Sequence, residues 1–206
     1  MEAHVPDPGR LKDLLLPNIQ VILHKSFNRT RKTTYSLIGV KKGKVWVNID
    51  LFITNRLFHE EYNFIPSLQQ YRVIQSEYPF GNCRFDFLMI NANTHRKALI
   101  EVKSVTVVKN GVALFPDAPT IRGVKHLNEL IKAVETKEYQ SFIIFIIKRN
   151  DAFSFKPKYV IDPHFTQVLN TANQKGVHVC AVKCFYDPIL AQELKILGEV
   201  PITLDC

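Results

Sequence analysis

Apolar and polar positions alternate along residues 84–89. Phe85, Phe87 and Met89 share one face of an extended chain, and Arg84, Asp86 and Leu88 share the other. Residues 100–103 repeat the pattern, with Ile100 and Val102 opposite Glu101 and Lys103. The turn-forming stretch Asn91-Ala92-Asn93-Thr94-His95-Arg96 lies between, so the two strands are predicted to pair as a hairpin. Upstream, strands are predicted over 21–24, 33–40 and 45–47, with the basic tip Lys41-Lys42-Gly43-Lys44 between the last two. Pro6-Asp7-Pro8-Gly9 reads as a turn, and residues 10–15 as a helical turn or loop. A helix is predicted over 48–62, where Ile49, Phe52, Ile53 and Leu57 form a stripe along one face.

Strands follow at 71–78, 84–90 and 97–108, and Asn110-Gly111 predicts a tight return through Val112 to Phe115. The next helix runs from its N-cap Thr120 to Thr136. Val124, Leu127, Leu130, Ile131 and Val134 form its buried face, with Arg122, Lys125, Glu129 and Lys132 opposite. Residues 141–148 are apolar almost throughout, as in a central strand covered on both sides. A helix over 163–175, a strand over 177–184, a helix over 189–197 and an extended piece over 201–204 complete the chain. The pattern divides into two units. Residues 1–46 are short strands with basic loops that suit a small β-barrel, yet are too few to close one. Residues 47–206 read αβββαβ and then αβ.

The fold class is therefore α/β with mixed, α+β character. A helix, a three-stranded meander and a crossover helix to a buried parallel strand resemble the common core of PD-(D/E)XK nucleases. At 206 residues the chain suits one ordinary domain, or one with a small appendage. A formal charge of +8 and a pI near 9.3 favour a polyanionic partner, nucleic acid or an anionic surface. No apolar run approaches the roughly 20 residues that cross a bilayer, and the start lacks a signal-peptide pattern. Cys83, Cys180, Cys184 and Cys206 show neither C-x-x-C spacing nor a disulfide framework, as expected of reduced thiols in the cytoplasm.

The predicted hairpin brings Asp86, Glu101 and Lys103 together. Mg²⁺ takes oxygen ligands and keeps several waters, so one or two carboxylates and a substrate phosphate suffice to hold it. Such an ion lowers the pKa of bound water and offsets charge building on phosphorus. A neighbouring lysine orients that water or stabilises the transition state. The same residues also suit a cross-strand ion pair that keeps a sheet edge polar, and spacing alone does not choose. Glu60 falls roughly 20° from Ile49 on the helical wheel, aimed at the sheet and its metal site. Its alternative is a last-turn residue already in solvent, with Arg56 as partner.

The run Ile100-Glu101-Val102-Lys103-Ser104-Val105-Thr106 and the block from Phe115-Pro116-Asp117-Ala118 through Arg122-Gly123-Val124-Lys125-His126 to Leu130 resemble the sugar fermentation stimulation protein A family. Its pattern reads IEVKSVTL, then FPDAxTxRGxKHLxEL. Thr54-Asn55-Arg56-Leu57 with Glu60, Arg84-Phe85-Asp86-Phe87 and Pro6-Asp7-Pro8-Gly9 add to the likeness, which spans nearly the whole chain. The resemblance implies an N-terminal OB-like domain, a C-terminal PD-(D/E)XK nuclease-like domain and DNA binding without sequence preference. Family members carry initial barrel strands before the segment matching residues 6–9. Either the start lies upstream here or the barrel is incomplete. The literal Pro116-Asp117 pair is a decoy for the motif name, because the motif's Asp precedes its Glu.

Carried onto this chain, the catalytic set is Glu60, Asp86, Glu101 and Lys103, with Asp86 and Glu101 as ligands of Mg²⁺ or Mn²⁺. Asp117 and Thr120 are expected to organise a helix N-terminus able to meet a phosphate. Arg122, Lys125 and the N-terminal Arg10 are expected to contact DNA phosphates. The alternative for Arg122 and Lys125 is a solvated face with a Lys125–Glu129 ion pair. His126 falls between the helix faces and is not read as a ligand. Two functions follow, a metal-dependent deoxyribonuclease or a non-catalytic DNA-binding regulator of sugar metabolism genes with a vestigial site. A third, binding of RNA or a small phosphorylated metabolite, accounts for the charge but not for the sheet residues. The sequence leaves the oligomeric state open, a dimer included.

Overall fold

The computed structural model describes residues 2–6, 9, 11–27, 30–189 and 193–204. The first four strands are β1 (Ala3–His4), β2 (Val21–Lys25), β3 (Tyr35–Lys42) and β4 (Val45–Asn48). β3 carries β2 antiparallel along one edge. Its other edge takes β1 in parallel at Tyr35 and Ser36, then β4 antiparallel from Gly39 onward. No ladder closes this sheet among the described residues. Leu11 and Leu14, from the predicted helical turn, pack beneath it with Leu37, Val40, Val47 and Ile49.

The remaining elements are α1 (Phe52–Glu61), β5 (Tyr71–Phe80), β6 (Cys83–Asn91), β7 (Lys97–Val105), β8 (Val108–Lys109), β9 (Val112–Phe115) and α2 (Ile121–Glu135). They continue through β10 (Tyr139–Ile147), β11 (Ser154–Pro157), α3 (Pro163–Gln174), β12 (His178–Asp187) and β13 (Glu193–Glu199). Six of these strands form one mixed sheet in the order β13-β12-β10-β7-β6-β5. β5, β6 and β7 are the expected antiparallel meander, and β7, β10 and β12 run parallel. β10 lies between parallel neighbours and is buried along nearly its whole length, which explains its continuous apolar run. Leu127, Leu130 and Ile131 of α2 and Phe165 and Leu169 of α3 pack on one face of the sheet. Leu57 and Phe58 of α1 pack on the other. Asn110 and Gly111, both at positive φ, make the tight turn between β8 and β9.

Three readings of the sequence need correction. First, α1 begins at Phe52 rather than near residue 48. Asn48 ends β4, and its side chain accepts the Asp50 N–H at 3.0 Å, which favours a turn over a helix. Ile49 belongs to the N-terminal core, while Phe52 is 80% exposed, so the inner face of α1 is instead Thr54, Leu57 and Phe58. Secondly, residues 193–199 are the edge strand β13. Leu194 and Ile196 are buried between exposed Glu193, Lys195 and Leu197, a period of two that short apolar runs leave ambiguous. Residues 190–192 of that predicted helix lie outside the described residues. Thirdly, Phe85 packs with the α2 and α3 core, whereas Phe87 and Met89 pack on the opposite face. The alternation breaks at Asp86.

Lys148, predicted as the end of a strand, follows β10 and is fully buried. Its Nζ donates to the Asp50 carbonyl at 2.9 Å, and its own carbonyl accepts the Asn48 N–H at 3.2 Å. These bonds tie the end of the N-terminal sheet and the start of α1 to the large sheet. The α2 N-terminus is equally tight. Thr120 Oγ1 accepts the Gly123 N–H at 3.0 Å, and a Cβ on Gly123 would sit 2.9 Å from the Thr120 side chain and 3.1 Å from Phe165. Gly123→Ala is therefore expected to destabilise the protein by roughly 2 kcal/mol, from lost capping and overpacking. Chemical denaturation checks it, and an unchanged midpoint would remove this contact from the account.

Candidate metal and phosphate site

The β6–β7 ladder pairs Phe87 with Ile100 and stops there. Where the next pair would form, the Asp86 side chain takes over: Oδ2 accepts the Val102 N–H at 2.7 Å. Oδ1 accepts from Asn55 Nδ2 of α1, also at 2.7 Å. The carboxylate is thus fixed by one backbone donor and one side chain. Glu101 is 2% exposed, and its Oε1 accepts from Lys103 Nζ at 2.5 Å and is also bonded to His126 Nδ1 of α2. Arg122 Nε lies 3.5 Å from His126 Nε2. Both contacts are satisfied when the ring carries its hydrogen on Nδ1, leaving Nε2 to accept. Glu101 Oε2 is buried with no hydrogen-bond partner among the described residues.

The electrostatics separate the two acids. Burial, and then the charge of Glu101, push the Asp86 carboxyl up to about 6, although Val102, Asn55 and Lys103 favour its anion. Burial acts on Glu101 in the same upward sense. The His126 bond and the nearby Lys103 ammonium more than offset it, so Glu101 is held below the usual carboxylate range. Asp86, Glu101, Lys103 and Arg122 line one cavity of about 410 Å³, with Asn55 and Asp117 on its wall.

Thr120 caps α2 as expected. Its own N–H donates to Asp162 Oδ2 at 2.8 Å, and Asp162 Oδ1 accepts the Phe165 N–H at 2.8 Å. Asp162 thus joins the starts of α2 and α3. The Asp-Pro pair that opens α3 was its only sequence signal. Glu60 does not reach the carboxylates. It lies in solvent at the end of α1, 3.7 Å from Arg56, because the inner face of the helix is turned to Leu57 and Phe58. Lys125 is exposed, and the Lys125–Glu129 pair of the alternative reading does not form among the described residues. Glu129 is buried against the backbone at Gly81 and pairs with Lys132 at 2.8 Å. Arg10 lies outside the described residues. His126 and Asn55 are the members that sequence reasoning missed. His126 had a signal in its i+4 spacing to Leu130 of the buried stripe, which points it inward.

Among the described residues, no three His, Cys, Asp or Glu side chains are grouped to hold a metal ion. No helix among them is long and apolar enough to cross a membrane. Residues 1–49 match the SfsA N-terminal OB domain and residues 52–189 the Sugar fermentation stimulation protein RE domain. A sugar fermentation stimulation protein homolog of Clostridium beijerinckii is 41% identical over 90% of this chain and 80% of its own. The Clostridium tetani homolog is 39% identical over 95% and 86%. The structure of Pyrococcus furiosus SfsA in complex with Ca²⁺ superposes with a TM-score of 0.87 at 27% identity, covering 98% of this chain and 85% of that one. With both units matched in order and relatives aligned along most of their length, this chain belongs to the sugar fermentation stimulation protein family.

Proposed function

We propose that this protein binds DNA through its phosphates, without sequence preference, and hydrolyses phosphodiesters with Mg²⁺ or Mn²⁺ at Asp86 and Glu101. The observation that carries this reading is Glu101 Oε2, a buried carboxylate oxygen with no hydrogen-bond partner among the described residues, on the wall of a cavity that Asp86 and Lys103 share. A buried anionic oxygen is costly to leave unpaired, and a cation relieves both it and the charge opposing Asp86 ionisation. The donor set is two carboxylates rather than a closed cage, so it fits a hard cation that keeps waters and takes a substrate oxygen. The solved relative bound to Ca²⁺ supports the same chemistry. In this reading residues 1–46 are the OB-like unit and 47–206 the nuclease-like unit, working in the cytoplasm.

When bound, the ion would supply a water of lowered pKa and charge to offset that on phosphorus. The chain supplies the remainder. Asn55 and the Val102 N–H orient Asp86, while His126 and Lys103 orient Glu101. Lys103 has two further N–H donors for the attacking water or the developing phosphorane charge. Arg122, on the cavity wall, holds a phosphate oxygen.

A second reading, a non-catalytic DNA-binding regulator of sugar metabolism genes, is favoured by one specific observation. Glu60, the additional acidic residue, stands in solvent rather than beside Asp86 and Glu101. Supercoiled, linear and single-stranded DNA incubated with Mg²⁺, Mn²⁺ or EDTA separates the two. Metal-dependent cutting by the wild type, lost in Glu101→Ala/Lys103→Ala, is the expected result. A salt-sensitive gel shift without cutting, unchanged in the variant, would overturn hydrolysis and leave the regulator.

A further inference from the structure

Beside the carboxylate cavity lies a second one of about 230 Å³, walled by both units of the chain. Leu11 to Leu14 and Lys42 come from the N-terminal unit; Lys109 of β8 and Lys158, in the turn after β11, come from the other. The turns are fixed by backbone bonds, Leu14 N–H to the Leu11 carbonyl at 2.9 Å and Lys158 N–H to the Phe115 carbonyl at 2.7 Å. Thr106, Val107 and Asp117 line both cavities, so the two adjoin.

The charges here are unevenly spent. Arg149 lies at the cavity wall, but its guanidinium grips both Asp151 oxygens at 2.6 Å and the Thr106 carbonyl at 3.2 Å, so it is structural. Lys42 Nζ donates to the Asp13 carbonyl at 2.6 Å and keeps two hydrogens. Lys12, Lys109 and Lys158 have no side-chain hydrogen bond or ion pair among the described residues. Four lysines thus line the cavity with two aspartates, Asp13 and Asp117, a formal excess of two positive charges. Leu11, Leu14, Val107 and Ile161 line the same cavity and can cover the lysine stems while the ammonium groups stay in water.

We propose that this second cavity holds a nucleic-acid phosphate neighbouring the one at Asp86 and Glu101, gripped by Lys12, Lys42, Lys109 and Lys158. The inference rests on the DNA-binding function proposed above. The phosphate is either an internal phosphodiester of the strand, with one negative charge, or a terminal phosphomonoester, with nearly two; the positive excess accommodates both.

The test is fluorescence anisotropy on the full chain, with short oligonucleotides ending in a 5′-hydroxyl or a 5′-phosphate, in Ca²⁺ across a salt series. Lys109→Ala/Lys158→Ala is expected to bind roughly tenfold more weakly, with a salt slope reduced by about 1.5. Ca²⁺ binding without DNA should be unchanged, which shows that the carboxylate site and the fold survive. Lys175→Ala/Lys195→Ala, which removes the same charge outside the cavity, should leave affinity near the wild type. A loss equal on both oligonucleotides assigns the cavity to an internal phosphate; a loss confined to the 5′-phosphate assigns it to a strand end. Unchanged binding in the cavity variant, or an equal loss in the control pair, overturns the proposal. A wild type that binds neither oligonucleotide overturns the DNA-binding function itself.

Discussion

Asp86→Asn is expected to raise the thermal midpoint of the metal-free protein at pH 8, and to abolish the stabilisation that Mn²⁺ gives the wild type. Burial and the charge of Glu101 push the Asp86 carboxyl from its ordinary 3.8 up to about 6. Ionising it in the folded state is therefore unfavourable. A gap of about two pH units sets an upper bound near 3 kcal/mol on that cost. The sign follows directly. Because the folded value is raised, the penalty is absent below about pH 3.8, grows between 4 and 6, and is complete above that range. Asparagine keeps one acceptor for the Val102 N–H, and the Asn55 amide can turn to present its oxygen to the new NH₂ group. The variant should thus gain stability at pH 8 while losing the anion a cation needs. Thermal melts at pH 8 and pH 4, with and without Mn²⁺, test both parts. Equal midpoints at both pH values would refute the electrostatic account; equal Mn²⁺ stabilisation of both proteins would remove Asp86 from the metal site.

Lys103→Met is expected to act in the opposite direction, costing about 3 kcal/mol at neutral pH by leaving a buried carboxylate with one partner fewer. The Glu101 and Lys103 side chains are only 3% and 14% exposed, so water replaces little of what is lost. Methionine retains the apolar stem, so the charge is the main change. Glu101 is held below its ordinary 4.5, and the stability this supplies is present above pH 4.5 and lost as pH falls through the folded value. The difference between variant and wild type should therefore shrink in acid. Mn²⁺ should restore part of the loss at neutral pH, since a divalent cation replaces the missing charge. Denaturant titrations from pH 7 to pH 3.5 decide it. A loss constant across that range would mean that Lys103 contributes packing alone.

These two carboxylates illustrate how far the sequence reaches. Alternation around Asp86 and Glu101 placed both on adjacent strands, and the hairpin between them formed as its turn residues require. The second helix was legible in the same way, because Thr120 and the apolar stripe through Leu127, Leu130 and Ile131 are local signals that the core does not contradict. The face of Phe85 was not legible. The break in alternation arises because a side-chain oxygen of Asp86, rather than its backbone, meets the Val102 N–H. Glu60 was misplaced for a similar reason. The start of α1 is set by Asn48, Asp50 and the distant Lys148, which rotate the helix away from the stripe that Ile49 and Phe52 suggested.

The sequence by itself determined the three-stranded meander and the buried central strand, the paired acidic residues with their lysine, the capped second helix and the basic charge. Each is written in a period, a turn or a cap that spans only a few residues. The tertiary structure alone decided that His126 meets Glu101, that Glu60 stays in solvent, that residues 193–199 pair as an edge strand, and that four lysines from both units converge on one cavity. These outcomes depend on contacts between residues far apart in the chain. Their energies are settled only when burial removes water and leaves each polar group to the partner that packing brings within reach.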